Sequence, residues 1–214
     1  MSFVNFDKKE INFKVVYYGP PLSGKTTNLE YLHAVMPKEV KGDITMLSTK
    51  QDRTLYFDFL PLESRAIKGF VSRFQLYTVP GQTMYNQTRR LVLAGVDGLV
   101  FVADSQWDCM ENNADSFQNL QKNLKTHNRT LNTIPYLLQF NKRDMANVAP
   151  VEYMDFLLNR LETRVQFFET VATHGIGVAE SLNTICKMVM AQFIDEHQMT
   201  VDELVSKGGS GKGG

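Results

Sequence analysis

Eight residues of the sequence, 19–26, fit the pattern G-x-x-x-x-G-K-[ST] and could bind phosphate. They follow a run typical of a strand, residues 11–18, and lead into residues 25–36, whose periodicity predicts a helix. In this strand–loop–helix context, backbone N–H groups and the helix N-terminus together offer positive charge to an anion. The N–H groups that could point at phosphate oxygens are those of Leu22, Ser23, Gly24 and Lys25.

Side chains of the same octet supply the other contacts of this phosphate site. Lys25 can reach the β- and γ-phosphates of a nucleotide, and the Thr26 hydroxyl can bind Mg²⁺. Gly19 opens the loop and Thr27 lies in the first helical turn, so both are assigned to the nucleotide site. The octet therefore predicts that the chain binds a nucleotide together with Mg²⁺.

A second motif, Asn-Lys-Arg-Asp at residues 141–144, directly follows a predicted strand at residues 134–140. From the end of that strand, Asp144 could accept hydrogen bonds from N1–H and N2–H₂ of guanine, a donor edge that adenine lacks. Asn141 could contact the purine or tie this loop to the phosphate loop, and the stem of Lys142 could cover the base. The motif therefore favours GTP and GDP. Further candidates, whose N–H groups could donate to guanine O6 unless they form an ordinary strand exit, are Val171, Ala172 and Thr173.

These motifs need a scaffold that alternates strands with helices. Short apolar runs predict strands at residues 11–18, 54–62, 70–79, 96–103, 134–140 and 166–171, and helical periodicity predicts helices at residues 25–36, 111–127, 151–160 and 178–197. The second and third strands are joined by a short polar connector and should form an antiparallel hairpin. The predicted fold is an α/β P-loop domain at residues 1–197, with a mostly parallel six-stranded sheet, one hairpin edge and helices on both faces. Residues 198–214 are predicted to be a flexible tail, because they end in a Gly- and Ser-rich stretch.

Composition excludes several other classes of protein. The 214 residues carry 23 Lys+Arg and 23 Asp+Glu, so no overall field attracts the chain to nucleic acid or to an anionic membrane. The two cysteines are far apart, which disfavours a disulfide framework and a zinc ribbon. The sequence shows no secretory signal, lipidation motif or apolar run of the ~18 residues that a membrane span needs. A cytoplasmic protein without a membrane anchor is expected.

The motifs in this order resemble those of the small Ras-like GTPases. They include Arg53-Thr54, Pro80-Gly81-Gln82, the phosphate loop and the motif at residues 141–144. In detail, runs such as residues 52–55, 57–61, 77–82 and 100–105 are similar to those of the bacterial MglA branch, which controls cell polarity and surface motility. The resemblance covers residues 2–193.

The resemblance implies roles for residues that the phosphate and base motifs do not include. Gln82 would orient the attacking water, and the Gly81 N–H would contact the γ-phosphate. Thr54 would complete the Mg²⁺ coordination in the GTP state. Arg53 would act as an arginine finger supplied by the same chain; the alternative is a solvated loop arginine beside Asp52. Residues 37–53 are expected to be a loop that must become ordered around phosphate and metal before hydrolysis.

Two departures from the wider family bear on hydrolysis. Thr78 stands where most small GTPases carry an aspartate that holds the Mg²⁺ shell, a replacement that the MglA branch shares. Asp58, on the preceding strand, could substitute through water or could be a solvated strand-edge acid. Pro21 stands where the wider family has glycine, and its side chain would crowd the γ-phosphate and any arginine from a partner.

The family also implies partners. In this branch a dimeric Roadblock-domain protein, MglB, activates the GTPase. The chain is expected to be monomeric on its own and to be recruited to a cell pole. Two other functions stay open on the sequence. One is an ATP-using P-loop enzyme such as a nucleotide kinase, against which Gln82 and Asp144 argue. The other is a GTP-loaded scaffold with negligible hydrolysis, which Pro21 and Thr78 favour.

Overall fold

A single sheet carries all eight strands of the computed structural model, which describes residues 3–43, 45–49, 52–59, 69–161 and 163–197. The strands are β1 Phe3–Asn5, β2 Glu10–Tyr18, β3 Thr45–Thr49, β4 Asp52–Phe59, β5 Val71–Thr78, β6 Gly98–Asp104, β7 Tyr136–Asn141 and β8 Phe167–Thr170. The α-helices are α1 Lys25–Val35, α2 Asn86–Leu93, α3 Met110–Lys125, α4 Val151–Leu158 and α5 Val178–His197. Short 3₁₀ helices occupy Lys38–Val40, Thr83–Tyr85, Trp107–Cys109 and Leu131–Thr133.

The order of the strands confirms the predicted α/β class. Along the sheet they run β3-β4-β5-β2-β6-β7-β8, and β1 pairs antiparallel with β2. The strands from β5 to β8 in this order are parallel, whereas β3 and β4 form an antiparallel edge. All six predicted strands are present, including the antiparallel pair of β4 and β5. The prediction omitted β1 and α2, and it omitted β3 because residues 37–53 were expected to be a loop.

Alternation of side chains along β2 divides the core into two layers. Ile11, Phe13, Val15 and Tyr17 are buried on the face that α1 and α5 cover, whereas Val16 and Tyr18 belong to the layer with α3. Strands β6 and β7 are buried along their whole length. Since both of their faces are covered, they read in the sequence as continuous apolar runs and not as alternating ones.

The parallel strands bring their carboxyl ends to one edge of the sheet. Here β2 lies between β5 and β6. Strands β3 to β5 lie on one side of it in the sheet, and strands β6 to β8 lie on the other. Such a switch point leaves a crevice beyond the strand ends, where ligands of open α/β sheets bind. The phosphate loop follows β2 and therefore lies at this crevice.

The described part of helix α5 runs from Val178 to His197, and the predicted domain boundary stays a prediction. The predicted tail at residues 198–214 lies outside the described residues. Among the helices that the structure describes, none has the length and apolarity to cross a membrane.

Candidate nucleotide site

The phosphate loop begins directly after β2 and passes into α1 at Lys25. Lys25 is only 6% exposed, and its Nζ donates to the carbonyl of Pro20 at 2.6 Å, so the ammonium is held under the loop. The Ser23 hydroxyl is buried and has no hydrogen-bond partner among the described residues. A buried lysine and an orphaned hydroxyl at a helix N-terminus fit an anion that accepts hydrogen bonds, as phosphate does.

Gly24 is required by the shape of this loop. Its φ is +98°, a conformation that side-chain-bearing residues rarely adopt, and it forms the N-cap of α1. A Cβ atom here would lie 2.2 Å from Nδ2 of Asn141. The missing side chain therefore lets the loop pack directly on the motif at residues 141–144.

Asn141 connects three loops at the edge of the sheet. Its Nδ2 donates to the Ser23 carbonyl at 2.8 Å, and its Oδ1 accepts from the Ala172 N–H at 3.0 Å and from the Thr170 hydroxyl at 3.1 Å. The side chain is 2% exposed, so these bonds form away from water. Of the two roles predicted for Asn141, the structure gives it the tie to the phosphate loop.

Two other members of the motif, Lys142 and Asp144, also line the crevice. Lys142 has a positive φ of 66°, and its Nζ lies 2.5 Å from Oδ2 of Asp104, a carboxylate that is buried at the end of β6. The Asp144 side chain is exposed and lines the crevice, where it can accept hydrogen bonds. Cys109 lies nearby, and its thiol has a raised pKa because of burial and, secondly, because of the negative charge of Asp104.

A cavity of about 280 Å³ gathers residues from the phosphate loop and the base motif. It is lined by Leu22, Gly24, Thr27, Asn141, Lys142, Asp144, Met145, Val171, Ala172 and Thr173. All of these except Met145 were assigned to the nucleotide site from the sequence. Residues that are far apart in the chain thus meet in one crevice, which agrees with a shared ligand.

The structure limits how many backbone N–H groups of the turn after β8 remain free to donate to a base. The Val171 N–H donates to the Ile176 carbonyl at 3.1 Å, and the Ala172 N–H donates to Asn141. Among the described residues, only the Thr173 N–H of these three amides lacks a partner within the protein. The three residues line the cavity, but two of their amides already have an acceptor before any base is bound.

Gly81 and Gln82 lie at a second cavity, on the other side of the phosphate loop. This cavity of about 370 Å³ also touches Pro20 and Pro21. A Cβ on Gly81 would lie 2.4 Å from Cα of Pro21, so the two backbones are in direct contact. The Gln82 side chain is exposed at this point. The predicted water-orienting residue is therefore placed next to the loop that would hold the γ-phosphate.

Strand β4 carries Arg53, Thr54 and Asp58, whose side chains lie outside the described part of the structure. Because Tyr56 pairs with Tyr77 in an antiparallel register, Arg53 and Thr54 stand at the carboxyl end of β5, the edge where the phosphate loop lies. Asp58 pairs with Gln75, three residues before Thr78. At about 3.3 Å per residue this places the Asp58 backbone about 10 Å back from that edge, and its role as a water-bridged Mg²⁺ ligand stays a prediction.

Three residues near the site were not assigned from the sequence. Asp104 pairs with Lys142, Thr170 bonds to Asn141, and Arg89 donates to the carbonyls of Pro80 and Gly81. A signal existed for the first two, because each is a polar residue at the carboxyl end of a parallel strand, β6 or β8, and such residues lie at this edge. No local signal marks Arg89, whose burial depends on tertiary packing.

Comparisons with known proteins agree with the geometry. Residues 45–191 match the model of the Ras family. The chain is also 50% identical over 192 residues to the mutual gliding-motility protein MglA of Myxococcus xanthus (strain DK1622); the alignment covers 90% of this chain and 97% of that protein.

Proposed function

Because this chain belongs to the Ras family, we propose that it is a GTP-hydrolysing switch that regulates cell polarity and surface motility, with its GTP-binding domain at residues 1–197. One observation carries the proposal. Asn141 joins the phosphate loop to the base motif through its 2.8 Å bond to the Ser23 carbonyl, at the crevice that both motifs line. The 50% identity to a protein named for gliding motility supports the biological role.

Nucleotide binding would divide between two halves of the crevice. Lys25, the loop amides and the helix N-terminus would hold the phosphates, since each offers positive charge. Asp144 would read the guanine edge, and the stem of Lys142 would cover the base while Asp104 fixes its ammonium. Bound Mg²⁺ would neutralise developing charge on the phosphates, and Thr26 at the start of α1 is the described residue that fits its coordination.

Hydrolysis asks the protein for positioning and charge stabilisation. The reaction is GTP + water → GDP + phosphate. Gln82 would orient the water, the Gly81 N–H would bind the γ-phosphate, and Lys25 would offset the charge that develops on the leaving group. Gly81 and Gln82 already lie beside Pro20 and Pro21 at one cavity, which supports this assignment.

Arg53 and Thr54 would complete the site from β4. The register of β4 against β5 brings their backbone to the correct edge of the sheet, which supports their roles as arginine finger and Mg²⁺ ligand. An arginine finger contributes roughly 10³–10⁵ in rate. Its docking would therefore decide whether the protein hydrolyses GTP fast or slowly.

Switching would follow from the loss of the γ-phosphate. The phosphate and its metal would hold Thr54 and Gly81, and hydrolysis would release both segments. A small GTPase of this family works through effectors and regulators that read such segments. We infer that the activating partner is a Roadblock-domain dimer of the MglB type, and that the chain acts in the cytoplasm and is recruited to a cell pole.

A specific contact favours a second candidate, the GTP-loaded scaffold with negligible hydrolysis. The backbone of Gly81 packs directly on Pro21, and the ring of Pro21 would crowd the γ-phosphate and an incoming arginine. Measuring phosphate release from GTP with and without a Roadblock-domain partner separates the two functions. A switch is stimulated by its partner, whereas a scaffold releases no phosphate in either condition.

The decisive test of the catalytic assignment uses Gln82→Leu and Arg53→Ala. Each should lower partner-stimulated turnover by at least about 10²-fold, a cautious figure below the full effect of an arginine finger. Neither should alter GDP affinity, since loss of an interaction made only in the transition state lowers kcat without weakening ground-state binding.

Matched controls are Gln87→Leu on α2 and Arg160→Ala near the end of α4, both exposed residues of the same types. They should keep wild-type turnover and GDP affinity. If Arg53→Ala hydrolyses GTP at the wild-type rate with partner present, Arg53 is a surface residue. The assignment of the arginine to this chain also requires stimulation to survive removal of every arginine from the partner.

A further inference from the structure

Arg89 on α2 is buried although arginine is almost always exposed in proteins. It is 1% exposed and heads the largest fully buried side chains of the described residues. In the part of the chain that the structure describes, no carboxylate forms an ion pair with Arg89. Its guanidinium donates hydrogen bonds to backbone carbonyl oxygens and to a side-chain amide oxygen. Burying an unneutralised charge is costly unless every donor is satisfied, so this position calls for an explanation.

The guanidinium binds two consecutive carbonyls of the segment at residues 80–82, which carries Gly81 and Gln82 and is called the second switch below. Its Nε donates to the Pro80 carbonyl at 2.8 Å, and one terminal nitrogen donates to the Gly81 carbonyl. The fixed fork of guanidinium donors suits two adjacent acceptors, which a lysine ammonium cannot match. These two carbonyls flank Gly81, the residue expected to sense the γ-phosphate.

Because the peptide group is planar, the bonds from Arg89 also fix the direction of the Gly81 N–H. The bond between Pro80 and Gly81 is trans, like the others that the structure describes, so the Gly81 N–H points away from the Pro80 carbonyl oxygen. Because that oxygen faces Arg89, the N–H faces away from Arg89. The backbone of Gly81 meanwhile contacts Pro21 of the phosphate loop.

The other end of the guanidinium is anchored on α3. Its second terminal nitrogen donates to Oδ1 of Asn119 at 2.8 Å, and the Tyr18 hydroxyl donates to the same oxygen at 2.6 Å. Burial raises the pKa of Tyr18, while the positive charge of Arg89 opposes that rise. Tyr18 ends β2 immediately before the phosphate loop, so this network joins α3, the second switch and the strand that carries the loop.

A cavity of about 370 Å³ separates the second switch from α3. Arg89 and Asn119 both line it, so their bond runs along a space that side chains do not fill. With little packing there, the switch depends on directional hydrogen bonds for its position.

We propose that Arg89 is a positioning residue that orients Gly81 and Gln82 for the γ-phosphate and the attacking water. The inference rests on the proposed function, because it concerns the same site. It adds a requirement that the loop motifs do not contain. The second switch must be held in position by hydrogen bonds from Arg89 on α2, which is itself anchored by Asn119 on α3. GDP lacks the γ-phosphate, so binding of GDP should not depend on this orientation.

The test compares Arg89→Lys and Arg89→Met with Arg90→Lys and Arg90→Met. Arg90 is the exposed neighbour on the same helix, and its guanidinium bonds to Asn123 and not to the switch carbonyls. Two quantities are measured for each protein. They are the affinity for GDP against that for a non-hydrolysable GTP analogue, and the partner-stimulated single-turnover rate.

Loss of charge-assisted bonds to the two carbonyls should weaken the GTP analogue by about 10-fold in Arg89→Lys and lower turnover by about 10- to 100-fold. GDP affinity should stay unchanged, and both Arg90 variants should behave as wild type. Arg89→Met, which removes the charge, should lose at least as much as Arg89→Lys. Asn119→Ala, which keeps the grip but removes the anchor, should show the same selective loss to a smaller extent.

Three results would overturn the proposal. The first is Arg89→Lys with an unchanged ratio of GTP-analogue to GDP affinity. The second is an equal loss of both affinities, which would make Arg89 a structural residue only. The third is a misfolded Arg89→Met combined with wild-type behaviour of Asn119→Ala. If the wild-type protein releases no phosphate with any partner, the proposed hydrolysis fails, and the affinity ratio alone still decides the role of Arg89.

Discussion

Asn141→Ala removes the side chain that joins the two halves of the nucleotide site. The wild-type amide makes three hydrogen bonds, to Ser23, Thr170 and Ala172, and it is 2% exposed. At about 1 kcal/mol for each buried bond, the variant should lose about 3 kcal/mol of unfolding free energy. For a domain of this size the melting temperature of the nucleotide-free protein should fall by about 6–12 °C.

Nucleotide binding should suffer because the phosphate loop loses its tie to the base motif. Without the 2.8 Å bond to the Ser23 carbonyl, the loop must be ordered at the expense of binding energy. At about 1 kcal/mol each, a cost of one to two such bonds corresponds to a GDP affinity about 5- to 30-fold weaker. Fluorescent GDP titration at fixed Mg²⁺ measures this loss directly.

Thr170→Val provides a comparison within the same network. It removes only the 3.1 Å bond from the Thr170 hydroxyl to Asn141 and leaves the contact with Ser23 in place. Its melting temperature should fall by about 2–4 °C, a third of the decrease expected for Asn141→Ala. Its GDP affinity should be unchanged. Asn132→Ala, at an exposed position, should change neither quantity. Wild-type GDP affinity in Asn141→Ala would refute the reasoning, because the phosphate loop would then be ordered without this side chain.

Three further substitutions test other parts of the site. Lys25→Ala should abolish tight binding of GDP and GTP, because the lysine offsets phosphate charge in both states; guanine nucleotide that still co-purifies with the variant would contradict the phosphate-loop assignment. Asp144→Asn should weaken GTP relative to xanthosine triphosphate, since an amide can donate to the xanthine oxygen where a carboxylate repels it; competition binding measures the ratio, and an unchanged preference for GTP would mean that this residue does not read the base. Because burial and then Asp104 raise the pKa of Cys109, alkylation of its thiol should be slower than that of free cysteine at pH 8 and should accelerate as the pH rises. Asp104→Asn should lower that pKa and speed the reaction at pH 8, whereas Cys186, which is buried, should react only after unfolding.

The sequence predicted the parts of the site that depend on local pattern. The phosphate loop, the motif at residues 141–144 and the turn at residues 171–173 each follow a strand of the parallel part of the sheet, and parallel strands bring such segments to one edge. The family resemblance is confirmed by the Ras-family match at residues 45–191 and by the 50% identity to MglA. The roles of Gln82, Arg53 and Thr54 stay predictions.

What the sequence did not predict depends on contacts between distant residues. Helix α2 was missed because its first half, Asn-Gln-Thr-Arg-Arg, lacks an apolar stripe, and its end merges with the apolar run that continues to β6. Strands β1 and β3 are short and owe their form to pairing with β2 and β4. Burial of Arg89 and the pairing of Asp104 with Lys142 arise only once the helices and strands are packed.

Selectivity for guanine nucleotide is the central claim, and competition against bound fluorescent GDP tests it most directly. Wild-type protein loaded with the labelled nucleotide in Mg²⁺ is challenged with GTP, GDP or a large excess of ATP. Since adenine lacks the donor edge that Asp144 would read, GTP and GDP should displace the label and ATP should not. Displacement by ATP would contradict the account, because the motif at residues 141–144 would then not select the base.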